Sequence, residues 1–355
     1  MLSTRLFSTL RSVKVMELKE VVQKLNQFAP TSLAEKWDNV GLLIEPSSPL
    51  QVKKIMLTND LTPPVMEEAV AKETNLIISY HPPIFTGMKC VTQKSWKERI
   101  VTTCLENRIG VFSPHTSYDC VQDGVNDWLI KAFDVVDVRP IQNAMELHSN
   151  MSNSISCCVP RTQCDQLQEE LSGIPHITDR LPPLSAETDD LMITVGCSQN
   201  NVSKVVNVMN KYTAQFIEVK QMSKVPKAGY GRGRIGKLKN KLTVDEAIQK
   251  VKSYLELDSI RVAKSPDINT LETVAVCAGS GGSLLKDVLA SLYLTGEMSH
   301  HDVLHAVYSG SNVILCDHSN SERGFLKHLK TRLESQLPGV DIFVSAVDKD
   351  PLEIV

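Results

Sequence analysis

Apolar positions along the chain switch repeatedly between helical and strand periodicity. Leu18, Val21, Val22 and Leu25 recur at helical spacing and predict an opening helix over residues 17–25. "KKIMLTND" (53–60) then reads as a buried strand, and "TPPVMEEAVAKE" (62–73) as a helix with prolines at its start. The same rhythm continues through a strand at 75–83, a helix at 95–108, a strand at 109–119 and a helix at 124–133. Short apolar strands alternating with helices predict an α/β fold of layered, mostly parallel sheets flanked by helices.

The pattern changes after about residue 150. "SNSISCCVP", "RTQCDQLQEELSG", "DLMITVGC", "QNNVSKVVNVMNKY" and "AQFIEVKQM" give strand, helix, strand, helix, strand, with a proline-rich joint at "DRLPPLSAE". This rhythm predicts a small inserted α+β (ferredoxin/PII-like) unit at 151–228, so the α/β core is assigned to 16–150 and 229–355. The α/β rhythm resumes with helices expected at 243–256, 283–291, 299–310 and 322–336. Strands are expected between them, and a last strand at 341–348. Residues 223–242 carry no predicted element.

Composition narrows the function classes. The 355 residues carry 38 basic and 41 acidic side chains, a net charge of -3, so no global positive field draws the chain to nucleic acid or an anionic membrane. No apolar run approaches the roughly 20 residues of a membrane span, and no membrane contact is expected. The nine cysteines form no Cys-x-x-Cys pair and lie mostly in apolar runs, which points to reduced, buried thiols and a cytoplasmic setting. Residues 1–15 carry Arg5, Arg11 and Lys14 with no acid. That composition suits either a mitochondrial transit peptide or a disordered tail.

Ligands of doubly wound sheets gather beyond the carboxyl ends of the strands. Four such places carry histidine, three of them with carboxylate: "SYHPP" with His81, "SPHTSYD" with His115 and Asp119, "LTGEMSHH" with Glu297, His300 and His301, and "LCDHSNSE" with Asp317, His318 and Glu322. Together they predict a metal or catalytic site for zinc, manganese or iron. Ser319 and Glu322 also match a helix capping box, so a capping role for Glu322 stands beside the ligand role. "GRGRIG" lacks the strand-turn-helix setting of a dinucleotide site. "CAGSGGS" lies between strand and helix, and the backbone of Gly279, Ser280 and Gly281 is a candidate anion cradle without the Gly-Lys-Ser/Thr ending of a P-loop. Eight basic residues and no acid fall between Lys220 and Lys241, read as a solvated loop or as a patch for a phosphorylated ligand or single-stranded nucleic acid.

Several blocks in order carry a resemblance: "WDNVGLLIE", "TNDLT", "SYHPPIF", "SPHTSYD", "GRIGKL", "CAGSGGS", "LTGEMSHHD" and "HSNSERGF". They resemble the NIF-three-like family (Ngg-interacting factor three), whose bacterial members carry the label GTP cyclohydrolase I type 2. The resemblance implies a two-domain α/β fold, assembly as a dimer or toroidal hexamer, and a pair of divalent metals per subunit. Carried over to this chain, the implied ligands are His81, Asp119, His318 and Glu322, with Glu297, His300 and His301 as neighbours of the pocket. Tyr80 stands where the family's first block has a histidine, and a phenol is a poor ligand. One metal per subunit rather than two is therefore expected.

Two functions follow from the resemblance. One is a metal-dependent hydrolase acting on a small phosphorylated or nucleotide-related substrate, with Asp119 or Glu322 as proton acceptor. The other is a non-catalytic oligomeric adaptor, a transcriptional co-regulator (corepressor) found in cytoplasm and nucleus.

Overall fold

The computed structural model describes residues 16–146, 151–181, 189–212 and 216–354. The expected targeting segment at 1–15 lies outside them. The chain forms two compact units: one runs to Asn143 and resumes at Gly229, and the other is Ala144–Ala228.

Two sheets build the larger unit. The first has strands in the order Asp341–Val344, Lys54–Thr58, Leu76–Ser79, Gly110–Ser113 and Gly41–Ile44. Its first three pairings are parallel and the last is antiparallel. Strands Leu76–Ser79 and Gly110–Ser113 are buried at every position, which is why they read as continuous apolar runs rather than as alternation. The second sheet runs Arg261–Ala263, Asn312–Leu315, Leu292–Glu297, Thr270–Ser280, Arg234–Thr243 and Val135–Arg139. It is parallel only at its two central pairings and antiparallel toward both edges. The fold is mixed α/β, with more antiparallel pairing than the sequence rhythm implies.

One hydrophobic core joins the two sheets. Leu57, Ile78 and Phe112 of the first sheet and Val276, Leu294 and Ile314 of the second are all buried in it, with Val21 and Leu25 of helix Leu18–Phe28 and Leu329 and Leu333 of helix Phe325–Gln336. The far face of the first sheet packs on helices Pro63–Ala71 and Trp96–Glu106 through Val65, Met66, Ile100 and Cys104.

The smaller unit is an antiparallel sheet in the order His176–Leu181, Asp190–Cys197, Asn153–Pro160 and Ile217–Gln221, with helices Cys164–Leu171 and Val202–Met209. Its βαββαβ order is ferredoxin-like. Every second residue of Asn153–Pro160 and Asp190–Cys197 is buried, so each strand turns one face to the helices.

Three expectations change. The unassigned stretch 223–242 forms strands Val225–Arg232 and Arg234–Thr243. They meet at Gly233, whose φ of +58° suits glycine and whose added Cβ would lie 2.8 Å from Ile141 and Leu284 side-chain carbons. The basic run is therefore largely strand rather than loop, with Lys220, Lys224, Lys237, Lys239 and Lys241 exposed to solvent. Arg232, Arg234, Lys239 and Lys241 pair with Glu35, Asp127, Asp134 and Glu272, and Lys220 and Lys227 with Glu218 and Glu146. The helix expected at 283–291 shortens to Gly282–Leu285, because the Val288 and Ala290 amides turn back to the Leu285 and Val288 carbonyls. Among the described residues no helix is long and apolar enough to cross a membrane.

Candidate metal centre

Parallel register carries on past the ends of the first sheet's strands and places the first candidate ligand. The Tyr80 and His81 amides donate to the Thr58 and Asn59 carbonyls at 2.9 and 3.0 Å, and the His115 amide donates to the Tyr80 carbonyl at 3.1 Å. His81 therefore stands in the row of strand ends where ligands of open α/β sheets collect. From the second sheet, the strand Asn312–Leu315 leads into a short 3-10 turn, Ser319–Ser321, that carries His318 on one side and Glu322 on the other.

The structure brings His81, His318 and Glu322 together, with one donor atom from each lying within 4.8 Å of the others. His81 Nε2 is 3.3 Å from Glu322 Oε2, and His318 Nε2 is 3.5 Å from Glu322 Oε1. Donor atoms on a tetrahedron with bonds of about 2.1 Å are about 3.4 Å apart, so each histidine stands from Glu322 at the spacing of two zinc-type ligands. His81 Nε2 is buried and, apart from this ion-pair contact with Glu322, makes no well-formed hydrogen bond among the described residues. A buried nitrogen without a well-formed hydrogen bond costs stability unless a proton or a cation satisfies it. The opposite ring nitrogen, Nδ1, lies 2.9 Å from Asp60 Oδ1. With a metal in place of the proton at Nε2, the remaining ring proton lies on the Asp60 side, the arrangement that orients metal-bound histidines. Asn59 Nδ2 donates to Glu322 Oε2 at 3.1 Å and holds the carboxylate in place.

The electrostatics favour a cation at this point. Burial works to keep His81 neutral, yet the Glu322 charge and the bonds to Asp60 and Glu322 outweigh it and push its pKa up to about 11. Burial likewise acts to raise Glu322, and the neighbouring His81 holds it below the ordinary carboxylate value. Two carboxylates around a half-buried imidazole thus stabilise positive charge, whether a proton or a metal ion supplies it.

Asp119 lies outside the trio. It accepts a hydrogen bond from the buried Tyr80 hydroxyl through Oδ1. Burial raises its pKa, the Tyr80 bond pulls the other way, the Glu322 charge adds to the rise, and the result is about 6. The same burial, with the charge of Asp119, holds the Tyr80 phenol well above its ordinary value.

Gly279 makes the room. Its φ is +64°, and an added Cβ would lie 2.6 Å from Glu322 Oε1 and 3.1 Å from His318 Nε2. The expected anion cradle has two of its three amides committed within the fold: Gly279 N–H donates to Ser321 Oγ at 2.7 Å and Gly281 N–H to the Glu297 carbonyl at 3.1 Å. The capping-box alternative for Glu322 fails as well. Ser319 Oγ donates to Asp350 at 2.6 Å, and the Glu322 side chain turns inward to Asn59 and the histidines.

Of the other sequence candidates, Glu297 reaches His318 Nδ1 at 3.4 Å, while His300 and His301 are exposed at the start of helix His300–Tyr308. His115 lines the same cavity of about 470 Å3 as His81 and His318. Its φ is +34°, and Asp38 anchors it with Oδ1 at 2.7 Å from Nδ1. Asp60, Asn59 and Asp38 were not singled out from the sequence. "TNDLT" ends a parallel strand, and the strand-end rule applied to polar residues other than histidine would have found the first two.

Residues 16–351 match the Duf34/NIF3 (NGG1p interacting factor 3) family. NIF3-like protein 1 of Bos taurus is 43% identical over 363 residues, covering 99% of this chain and 95% of the relative. The Homo sapiens NIF3-like protein 1 is 43% identical over 353 residues, with 96% and 93% covered. NGG1-interacting factor 3 of Saccharomyces cerevisiae is 30% identical over 361 residues, with 97% and 99% covered. Among solved structures, Staphylococcus aureus protein SA1388 superposes with a TM-score of 0.78 at 23% identity, covering 96% of this chain and 99% of that one. Reduced HcgD from Methanocaldococcus jannaschii gives 0.61 at 19% identity, covering 93% and 98%. These two likenesses concern the fold.

Proposed function

Because the chain belongs to the Duf34/NIF3 family, we propose that it binds one divalent cation, zinc, manganese or iron, through His81, His318 and Glu322. On this reading it acts as a metal-dependent hydrolase on a small phosphorylated or nucleotide-related substrate. The observation that carries the metal reading is the convergence of His81, His318 and Glu322 donor atoms within 4.8 Å of one another, with His81 Nε2 buried 3.3 Å from Glu322 while Asp60 holds the ring's other nitrogen.

A divalent cation bound there supplies Lewis acidity to a substrate oxygen. The chain's own residues supply the rest. Asp60 and Asn59 orient His81 and Glu322. Asp119, half-buried and raised to about 6, is a stronger base than an ordinary carboxylate and takes the proton released at the reacting centre. The Tyr80 hydroxyl donates to Asp119, and on the family resemblance Tyr80 stands where a histidine would help hold a second metal.

Metal content per chain tests this on protein purified without chelator or affinity metal. About one equivalent is expected in the wild type, rising toward about two in Tyr80→His. No metal in either protein overturns the reading.

The name of the yeast relative, NGG1-interacting factor 3, describes a protein that binds another protein and favours a second reading. In it this chain is a non-catalytic oligomeric adaptor and transcriptional co-regulator, with the cation serving the fold. Partner capture that survives His318→Ala, together with no hydrolysis by the metal-loaded wild type, selects this reading.

A further inference from the structure

Phe85 and His115 line the cavity beside the trio, and Trp37 stands at its edge against both rings. Trp37 is 58% exposed and Phe85 44% exposed. Their ring centroids are 6.0 Å apart at 56°, and they lie 6.0 and 6.4 Å from the His115 ring. The His115 ring is in turn 5.4 Å from that of His81. Large aromatic rings are ordinarily buried, and two exposed side by side next to a polar site form an apolar surface left for something else to cover.

The segments carrying these rings are fixed. Trp37 sits in a turn closed by the Asp38 amide on the Glu35 carbonyl at 3.0 Å. The adjoining Asp38 side chain is fully buried and bonded to His115 and Thr116. Asn39 Nδ2 donates to the Ile84 carbonyl at 2.6 Å, tying the Trp37 segment to the one carrying Phe85. Lys97 and Lys349 line the same cavity as Phe85, His115 and His318, Lys349 being paired with Glu353 at 2.7 Å.

We propose that Trp37 and Phe85 form a recognition subsite for the planar heterocycle of a nucleotide-like substrate, with Lys97 and Lys349 receiving its anionic group. This deepens the hydrolase reading and rests on it for the place of the reacting bond. A rigid aromatic surface accepts a heterocycle by stacking, and the ammonium groups attract phosphate without fixing its geometry. The rings are surface residues whose removal leaves the core intact.

Calorimetric titration of the zinc-loaded full chain with AMP, GMP and ribose 5-phosphate tests the subsite, with zinc content measured on the same samples. Loss of one base-aromatic stack corresponds to about ten-fold in affinity or more. At least one nucleotide should bind about ten-fold tighter than ribose 5-phosphate. Trp37→Ala and Phe85→Ala should each remove that preference, leave ribose 5-phosphate affinity and zinc content unchanged, and Trp37→Phe should restore most of it. Equal affinity for nucleotide and ribose 5-phosphate, no nucleotide binding, or a preference that survives Trp37→Ala overturns the proposal. Trp37 emission that shifts with protein concentration rather than with nucleotide overturns it in favour of a second copy covering the rings. A chain that holds zinc but shows no nucleotide preference fails only here. A chain that holds no zinc but keeps the preference fails the parent reading instead.

Discussion

Gly279 brings the backbone of the 277–282 turn against the cation trio. Alanine at this position needs a left-handed φ of +64° and puts a Cβ 2.6 Å from Glu322 Oε1. Glu322 is packed in place by Asn59 and two histidines and has nowhere to yield. Gly279→Ala should therefore lose bound metal and lower stability by about 1–3 kcal/mol, measurable as metal content and as a fall in the melting midpoint. Asp38 carries a second prediction at this scale. Burial alone would raise its pKa, but hydrogen bonds from His115 and Thr116 hold it below the ordinary 3.8. A depressed carboxylate stabilises the fold fully above its unfolded pKa and loses that contribution as pH falls through the folded value. The melting temperature should thus fall steeply below about pH 4. Asp38→Asn should start lower and show a shallower acid fall, and an unchanged acid limb in the variant would rule out this source.

Arg234 is the corresponding case for elements. It is 1% exposed and joins strand Arg234–Thr243 to helix Val125–Ile130 through two bonds to Asp127, at 2.7 and 2.8 Å, with further bonds to the Gly231, Gly233 and Val121 carbonyls. Removing one partner of a buried pair leaves the other charge unmatched, so Arg234→Ala should cost about 3–5 kcal/mol in denaturant titration. Lysine cannot reproduce the two-pronged geometry and should recover only part of it. In sequence, Arg234 was one of eight basic residues in a stretch read as loop. Its strand and its burial were both illegible because the segment lacks apolar alternation, and Gln142–Glu146 escaped notice for the same reason. The buried parallel strands were legible as apolar runs. His81, His318 and Glu322 were legible as histidine and carboxylate at strand ends, with family resemblance selecting among them. Asn59, Asp60 and Asp38 resemble ordinary turn formers until the register shows what they face.

At the scale of the whole chain, the trio is a tie between two sheets. His81 comes from the first sheet and His318 with Glu322 from the second, so a bound cation stabilises only the folded larger unit. The smaller unit encloses a core of its own, including Ile155, Leu167, Ile193, Val205 and Met209, and no candidate ligand lies in it. Two compact units with separate cores predict two unfolding transitions in scanning calorimetry, one of them metal-dependent. Free metal at about 100 times its dissociation constant adds roughly 2.7 kcal/mol to the larger unit, which corresponds to a rise of about 5–10 °C in its midpoint. A chelator should lower that transition by this amount and leave the other in place. His318→Ala should begin at the chelated midpoint and respond to neither metal nor chelator. Equal shifts of both transitions, or a chelator response retained in His318→Ala, would place the cation elsewhere in the molecule.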